Sequence, residues 1–278
     1  HERESFAMSK ELVKEQFGGA AQAYAVSKVH AQGASLGRLV ELVGPQPGWS
    51  VLDVATGAGH TAFTFAPYVA SVLATDITPE MLATTARLAQ EKGLANLTVQ
   101  EADAEALPFA AASFDLVTCR IAPHHFPNIA AFLSESARVL RPGGQLAVVD
   151  NIVPGSVDPG PEGVAQQVAG DYVNRIEKLR DPSHHRCLSL EEWVAGFERA
   201  GFTVVHTETQ PKAIEFLDWA KRMMAKPAQS AGADLDLLSQ LRTLILEAPP
   251  AVTAFLQPTP VGDDLHFLLA EGIIVGRK

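Results

Sequence analysis

Cysteine is scarce in this sequence, with only Cys119 and Cys187 among 278 residues. Two cysteines are too few for a disulfide framework, and they have no neighbours at metal-ligand spacing. The scarcity therefore excludes a disulfide-stapled domain and a cysteine-based metal centre. We interpret both residues as buried thiols or as thiols near a binding site.

Positive charge and long apolar runs are also lacking. Lys and Arg total 22 against 32 Asp and Glu, which gives a net charge of −10. Affinity for nucleic acid depends on clustered Lys and Arg, so this balance argues against nucleic-acid substrates. No apolar run approaches the roughly 18 residues that span a bilayer. The first residues lack the basic-then-apolar pattern of a signal peptide, and we expect a cytoplasmic protein.

The remaining composition is that of a globular protein, with 47% hydrophobic residues. This is enough for one large domain, or one domain with an insertion. Residues 1–8 resemble the remnant of an expression tag followed by a native start. Residues 9–48 are predicted to be helical, and the main domain is expected at 49–278. The helical segment breaks at Gly18-Gly19, and its first part is either a lid over a ligand or a solvated helix.

One stretch, residues 50–62, organises the rest of the chain. Its first half is apolar and is typical of a buried parallel strand. In the turn that follows, Gly57 and Gly59 let the backbone approach a ligand closely, and a helix begins after it. Asp53 lies inside the strand, where a buried carboxylate is costly unless a ligand or the N–H groups of the turn pair with it. The stretch predicts a nucleotide-type site, with a tight turn that binds nothing as the alternative.

Acidic residues follow the next two strands at the same edge of the predicted sheet. Asp76 ends a strand at 71–76, where a carboxylate can accept both ribose hydroxyls of a nucleoside. Asp103 follows a strand at 96–100 and is an acceptor suited to the amino group of adenine. A capping aspartate before a short helix explains Asp103 equally well, and Met81 either packs on adenine or fills the core.

Alternating strands and helices predict a parallel sheet with right-handed crossovers. We expect an α/β fold with a Rossmann-like, seven-stranded, mostly parallel sheet and helices on both faces. The last strand, at 266–275, is expected to be antiparallel, after a sixth strand at 202–208 and a helical insertion at 211–263. We interpret that insertion as a substrate cover or as the surface of a homodimer.

The ordered motifs resemble one family. They are Val-Leu-Asp-Val-x-x-Gly-x-Gly at 51–59, Asp76, Asp103-Ala104, Phe114-Asp115-Leu116-Val117 and Arg138-Val139-Leu140-Arg141-Pro142-Gly143-Gly144. This set is similar to the UbiE-like branch of class I S-adenosylmethionine (SAM) methyltransferases and extends over residues 16–150. Ala55 departs from the family, because the first glycine of its pattern stands at that position.

The resemblance implies SAM as the cofactor, S-adenosylhomocysteine as the product and no metal. It places the methionine part of SAM beside Asp53 and the glycine turn, the ribose at Asp76, and adenine at Asp103 and Ala104. The full set of predicted cofactor-binding residues is Tyr24, Asp53, Ala55, Gly57, Gly59, Asp76, Ile77, Met81, Asp103, Ala104 and Arg120.

Histidines supply the candidates for proton transfer. His124 and His125 follow the fourth strand, and imidazole titrates near neutral pH. Adjacent residues rarely point the same way, so we expect only one to face the pocket; packing and capping are the alternative roles. Arg180, His184 and His185 form a second polar cluster that can hold an anionic or hydroxylated acceptor. Two histidine pairs also suggest a metal site, but no cysteine or acid stands at ligand spacing.

The sequence therefore predicts a SAM-dependent methyltransferase that acts on a small, apolar or aromatic acceptor by in-line methyl transfer. Within the same fold, the alternative is a UbiE-like quinone C-methyltransferase. An NAD-dependent oxidoreductase is an alternative of another class, because Gly57-x-Gly59-x-x-Ala62 and Asp76 also fit a dinucleotide fingerprint. A further alternative is a SAM-binding protein that transfers no methyl group.

Overall fold

The computed structural model describes residues 2–19, 34–222 and 231–278, and the chain divides into two compact units. The first unit comprises residues 1–150, 194–208 and 273–278, and the second comprises 151–193 and 209–272. The second unit contains the predicted insertion and, in addition, residues 151–193, which the sequence did not separate from the main domain.

The helices and strands alternate through the first half of the chain. The helices are α1 (Glu2–Gly18), α2 (Ala34–Val43), α3 (His60–Phe65), α4 (Pro79–Glu91), α5 (Ile129–Val139), α6 (Pro161–Arg180), α7 (Leu190–Arg199), α8 (Phe216–Lys221), α9 (Ala231–Leu246) and α10 (Pro250–Leu256). The strands are β1 (Ser50–Val54), β2 (Ser71–Asp76), β3 (Leu97–Glu101), β4 (Phe114–Arg120), β5 (Leu140–Ile152), β6 (Thr203–Glu215), β7 (Thr259–Val261) and β8 (Asp264–Arg277).

The strands form one sheet in the order β3-β2-β1-β4-β5-β8-β6, and β7 pairs only with β8. Strands β1 to β5 pair in parallel, whereas β7 and β8 are antiparallel. The prediction of a mostly parallel α/β sheet with an antiparallel end is confirmed. The short β7 was not predicted and brings the described strands to eight.

Each unit has its own apolar core. In the first unit, the central strands are buried on both faces, as expected for parallel strands covered by helices; α2 adds the buried side chains of Leu39 and Val43. Because these two lie four residues apart, they share one face of the helix. The second core is built by helices and the start of β8, with Trp219, Leu241 and Phe267 among its members.

Several boundaries differ from the predicted ones. Helix α1 runs from Glu2 to Gly18 without a break at Met8, so the helix does not mark where a tag would end. Strand β6 continues past its predicted end, Glu208, to Glu215 and includes Pro211. Proline is tolerated on an edge strand, and β6 is the last strand in the sheet order. The predicted helix at 214–225 is described as α8, which is shorter.

Candidate functional site

The turn after β1 has a left-handed backbone at three positions. The φ angles are +51° at Ala55, +55° at Gly57 and +87° at Gly59. A Cβ atom on Gly59 would lie 2.5 Å from Cζ of Phe63 and 2.8 Å from Cγ2 of Thr85, so only glycine fits there without a shift of its neighbours. A Cβ atom on Gly57 would meet no atom of the described residues within 4 Å, so among these residues this part of the turn borders open space.

The backbone conformation at Ala55 is the one that the glycine of the family pattern would adopt. A left-handed conformation costs an L-residue with a Cβ about 1–2 kcal/mol. The chain tolerates this strain at Ala55, where glycine would adopt the same conformation freely.

Asp53 is held in the sheet by hydroxyl groups. The side chains of Thr56 and Thr118 each donate a hydrogen bond of 2.6 Å to its carboxylate. Burial raises the pKa of Asp53 to about 6, although these hydrogen bonds and the positive charge of Arg120 oppose the increase. The Nε–H of Arg120 donates to Oγ1 of Thr61 at 3.2 Å. Asp53 is therefore a buried carboxylate beside the glycine turn, and its pKa is raised above the ordinary value of an aspartate.

Asp76 links the end of β2 to the same turn. Its two oxygens accept hydrogen bonds from the backbone N–H groups of Gly57 and Thr78, each at 2.9 Å. Burial raises the pKa of Asp76, and these two hydrogen bonds oppose the increase. Additional hydroxyl donors from a ligand would stabilise its charged form.

Asp103 contacts the N-terminal helix. One oxygen of its carboxylate accepts from the backbone N–H of Glu105 at 3.0 Å, and the other lies 2.6 Å from Nζ of Lys10. Lys10 also lies 2.6 Å from the Glu105 carboxylate. Burial by itself lowers the pKa of Lys10, but its hydrogen bonds to the two acids outweigh this effect and raise it. Helix α1 thus contacts the residue that we predict to bind adenine.

The chain turns sharply after β4. Ile121 has a φ of +52°, which is rare for a β-branched residue and indicates local strain. A 3-10 turn, Pro123–His125, follows and buries both histidines. Their ring centroids are 4.2 Å apart, and the ring of Phe17 lies edge-on to His125 at 5.0 Å. Nδ1 of His124 lies 2.6 Å from Oδ1 of Asp150 on β5.

These features fit an adenosine cofactor with a sulfonium arm. The open space at Gly57 admits a ligand close to the backbone, and Asp76 is a buried carboxylate that ribose hydroxyls would stabilise. Asp53, Asp76 and Asp103 lie at or after the ends of three parallel strands that neighbour one another in the sheet. Ligands of open α/β sheets bind at this edge. Among the described residues, no group of three or more His, Cys, Asp or Glu side chains could hold a metal ion.

Comparison with known proteins decides the family. A model described as a methyltransferase domain matches residues 52–148. The uncharacterized methyltransferase YcgJ of Bacillus subtilis is 38% identical over 206 residues, which cover 74% of this chain and 78% of YcgJ. This chain belongs to the family of SAM-dependent methyltransferases.

Two further matches agree with this assignment. The crystal structure of the BH2331 protein from Bacillus halodurans C-125 is 34% identical to this methyltransferase, with a TM-score of 0.77, and the match covers 88% of this chain and 99% of that one. The ubiquinone/menaquinone C-methyltransferase UbiE of Brucella anthropi is 34% identical over 174 residues, 56% of this chain and 66% of UbiE. The family decides in favour of SAM over the dinucleotide that the glycine pattern also allowed.

Most of the predicted site residues of the methyltransferase lie in the first unit. Asp53, Ala55, Gly57, Gly59, Asp76, Ile77, Met81, Asp103, Ala104, Arg120, His124 and His125 all belong to that unit. Met81 and Ala104 are buried, and Ile77 is half-buried. Tyr24 lies outside the described residues.

The predicted acceptor-binding cluster belongs to the second unit. Arg180 pairs with Glu177 at 2.7 Å and stacks over the ring of Trp219 at 4.7 Å. His184 is buried and lies 2.9 Å from Oδ1 of Asn174, whereas His185 is exposed. Arg180 and His184 thus stabilise the second unit locally, and an acceptor-binding role for the cluster stays a prediction.

Sequence reasoning missed Lys10, Thr118 and Asp150 in the methyltransferase. Lys10 is 93 positions from Asp103, and Thr118 is 65 positions from Asp53. Their proximity depends on strand pairing and on the docking of α1, and no local motif reports it. The one signal that could have found Asp150 is its position as an acid at the end of a predicted strand.

None of the described helices is both long enough and apolar enough to cross a membrane.

Proposed function

We propose that this methyltransferase transfers the methyl group of SAM to a small, apolar or aromatic acceptor, and that a histidine after β4 removes a proton from the acceptor. The observation that carries the proposal is the buried pair His124 and His125, four and five positions after Arg120. Imidazole accepts a proton readily near neutral pH. The pair therefore supplies a base at the edge of the sheet that carries the carboxylates.

The same carboxylates are proposed to bind the cofactor. Asp76 accepts from the ribose hydroxyls, Asp103 and Ala104 bind adenine, and Asp53 with the glycine turn faces the methionine part. Support comes from the raised pKa of Asp76 and from the open space at Gly57. When bound, SAM supplies a methyl group already activated on a sulfonium, so the protein must orient the acceptor, exclude water and receive a proton.

A second candidate acceptor is a quinol ring carbon, as in a UbiE-like C-methyltransferase. The similarity to UbiE of Brucella anthropi favours it. That similarity covers 56% of this chain, so it does not extend to all the residues that an acceptor would contact.

The proposal is tested by incubating the full chain with SAM labelled with tritium in the methyl group. The acceptor panel contains small phenols, hydroxylated heteroaromatics, amines, and a demethylated quinol with and without its prenyl tail. We expect label in a small acceptor and binding of S-adenosylhomocysteine, but not of NAD, by calorimetry. Label only in the prenylated quinol would favour the UbiE-like alternative. Tight binding of S-adenosylhomocysteine without labelled product would refute methyl transfer to these acceptors.

A further inference from the structure

Asp150 is a buried carboxylate with an unusual environment. Asp150 lies near the end of β5 and is 0% exposed, and its Oδ1 is 2.6 Å from Nδ1 of His124. Its other oxygen, Oδ2, is buried and has no hydrogen-bond partner among the residues that the structure describes. A buried carboxylate in this condition is costly for the fold. The contact with His124 satisfies only one of the two oxygens, so the burial of Asp150 calls for an explanation other than stability.

The backbone brings the two side chains together through neighbouring parallel strands. Arg120 of β4 pairs with Val149 of β5, and the N–H of Ile121 donates to the carbonyl of Val149 at 2.7 Å. The left-handed turn at Ile121 then redirects the chain into the 3-10 turn that carries His124. Asp150 and His124 meet because β4 and β5 pair side by side at this end of the sheet and because the 3-10 turn follows β4 so closely.

A carboxylate at Nδ1 determines the tautomer of a histidine. A neutral imidazole that donates its proton from Nδ1 carries its lone pair on Nε2, and the carboxylate stabilises the imidazolium once Nε2 has accepted a second proton. The ring of His125 packs edge-on against Phe17. The two adjacent histidines are therefore in different chemical environments.

We propose that Asp150 is a positioning residue that holds His124 in the Nδ1–H tautomer, so that His124 is the base of the pair and the acceptor is a hydroxyl, phenol or amine that loses a proton. This inference rests on the proposed function.

The step balances without another reactant. A lone pair of the acceptor O or N forms a bond to the methyl carbon, and the carbon–sulfur bond breaks with its electrons remaining on sulfur. The proton of the acceptor moves to Nε2 of His124. The imidazolium, paired with Asp150, then releases the proton to water.

The tautomer can be measured without knowing the acceptor. In the full chain with ¹⁵N-labelled histidine, two-bond ¹H–¹⁵N spectra distinguish the two tautomers, and His124→Gln assigns the signal. We expect the Nδ1–H form for His124 in the wild type and a shift towards the Nε2–H form in Asp150→Asn. A wild-type His124 in the Nε2–H form would overturn the inference, even if Asp150→Asn failed to fold.

Kinetics on an acceptor from the panel provide the second readout. A general base contributes about 10²–10⁴-fold to the rate. We expect kcat of Asp150→Asn to fall by about 100-fold or more, with little change in KM and in the affinity for S-adenosylhomocysteine. The double variant with His124→Gln should be no slower than His124→Gln alone, because Asp150 acts through His124.

Asp115→Asn is the matched control. Asp115 is also a strand carboxylate, but it pairs with Arg141 at 2.6 Å at the opposite end of β4. This variant should keep both the tautomer and kcat. An unchanged kcat in Asp150→Asn would overturn the inference while methyl transfer itself stands. Failure of the whole acceptor panel would count against the proposed function, and the spectra would still decide the role of Asp150.

Discussion

The two glycines of the turn after β1 should respond in opposite ways to replacement by alanine. Both have a left-handed backbone, which costs an alanine about 1–2 kcal/mol. At Gly57 a methyl group would enter open space, whereas at Gly59 it would lie 2.5 Å from the Phe63 ring. Overpacking of this kind adds about 1–3 kcal/mol. We therefore expect Gly57→Ala to lose about 1–2 kcal/mol of unfolding free energy and Gly59→Ala about 2–5 kcal/mol.

Cofactor affinity should follow the reverse order. If SAM lies in the open space at Gly57, a methyl group there crowds the ligand by about 1–3 kcal/mol, which weakens binding of S-adenosylhomocysteine by about 5- to 150-fold. Gly59→Ala crowds Phe63 and Thr85 instead of the open space, so its defect should be mainly one of stability.

Thermal unfolding without ligand and calorimetry with S-adenosylhomocysteine measure the two effects separately. Gly93→Ala is the matched control. Gly93 has a φ of +68°, no atom in the described part of the chain lies within 4 Å of its Cβ position, and it follows the far end of α4. It should lose about 1–2 kcal/mol of stability and no affinity. Wild-type affinity in Gly57→Ala would refute our placement of the cofactor against this turn.

Two further predictions concern the same segment. Replacing Ala55 by glycine removes the left-handed strain but adds chain entropy to the unfolded state. We therefore expect the unfolding free energy to rise by up to about 1 kcal/mol and the thermal midpoint to increase. A lower midpoint would contradict this prediction. Because the pKa of Asp53 is raised from 3.8 to about 6 on folding, the native state binds the extra proton, and the unfolding free energy should fall as pH rises from about 4 to 6. The shift in pKa amounts to about 3 kcal/mol at about 1.4 kcal/mol per pKa unit. Denaturant titrations at a series of pH values should show this fall in the wild type but not in Asp53→Asn. The same dependence of unfolding free energy on pH in both proteins would exclude Asp53 as the source of the fall.

The sheet was predictable because its signals are local. Apolar runs, glycine turns and acids at strand ends stand next to one another in the sequence, and they placed Asp53 and Asp76 beside the glycine turn. Element boundaries were harder to predict. The sixth strand was predicted to end at Glu208 and the insertion to begin at 211, yet β6 continues through Pro211. An edge strand accommodates proline because one side of it needs no ladder hydrogen bond.

The contacts of the first part of the N-terminal segment could not be predicted from the sequence either. Its polar pattern was compatible with a lid or with a solvated helix. In the structure, Lys10 of α1 contacts Asp103, and Phe17 contacts His125. These partners are distant in the sequence, so no periodicity within α1 could have identified them. Movement of α1 as a lid stays a prediction.

The chemistry left open by the sequence depends on strand register. Asp53 pairs with Thr118 across β1 and β4, and the Thr118 hydroxyl donates to the Asp53 carboxylate at 2.6 Å. A slip of one residue would turn Thr118 to the opposite face of the sheet and remove one donor from a buried carboxylate. In the same way, His124 and His125 are equivalent as residue types, and the distance to Asp150 distinguishes them. Residue type therefore predicts which edge of the sheet carries titratable side chains, whereas the register of β1, β4 and β5 decides which of these side chains form hydrogen bonds with one another.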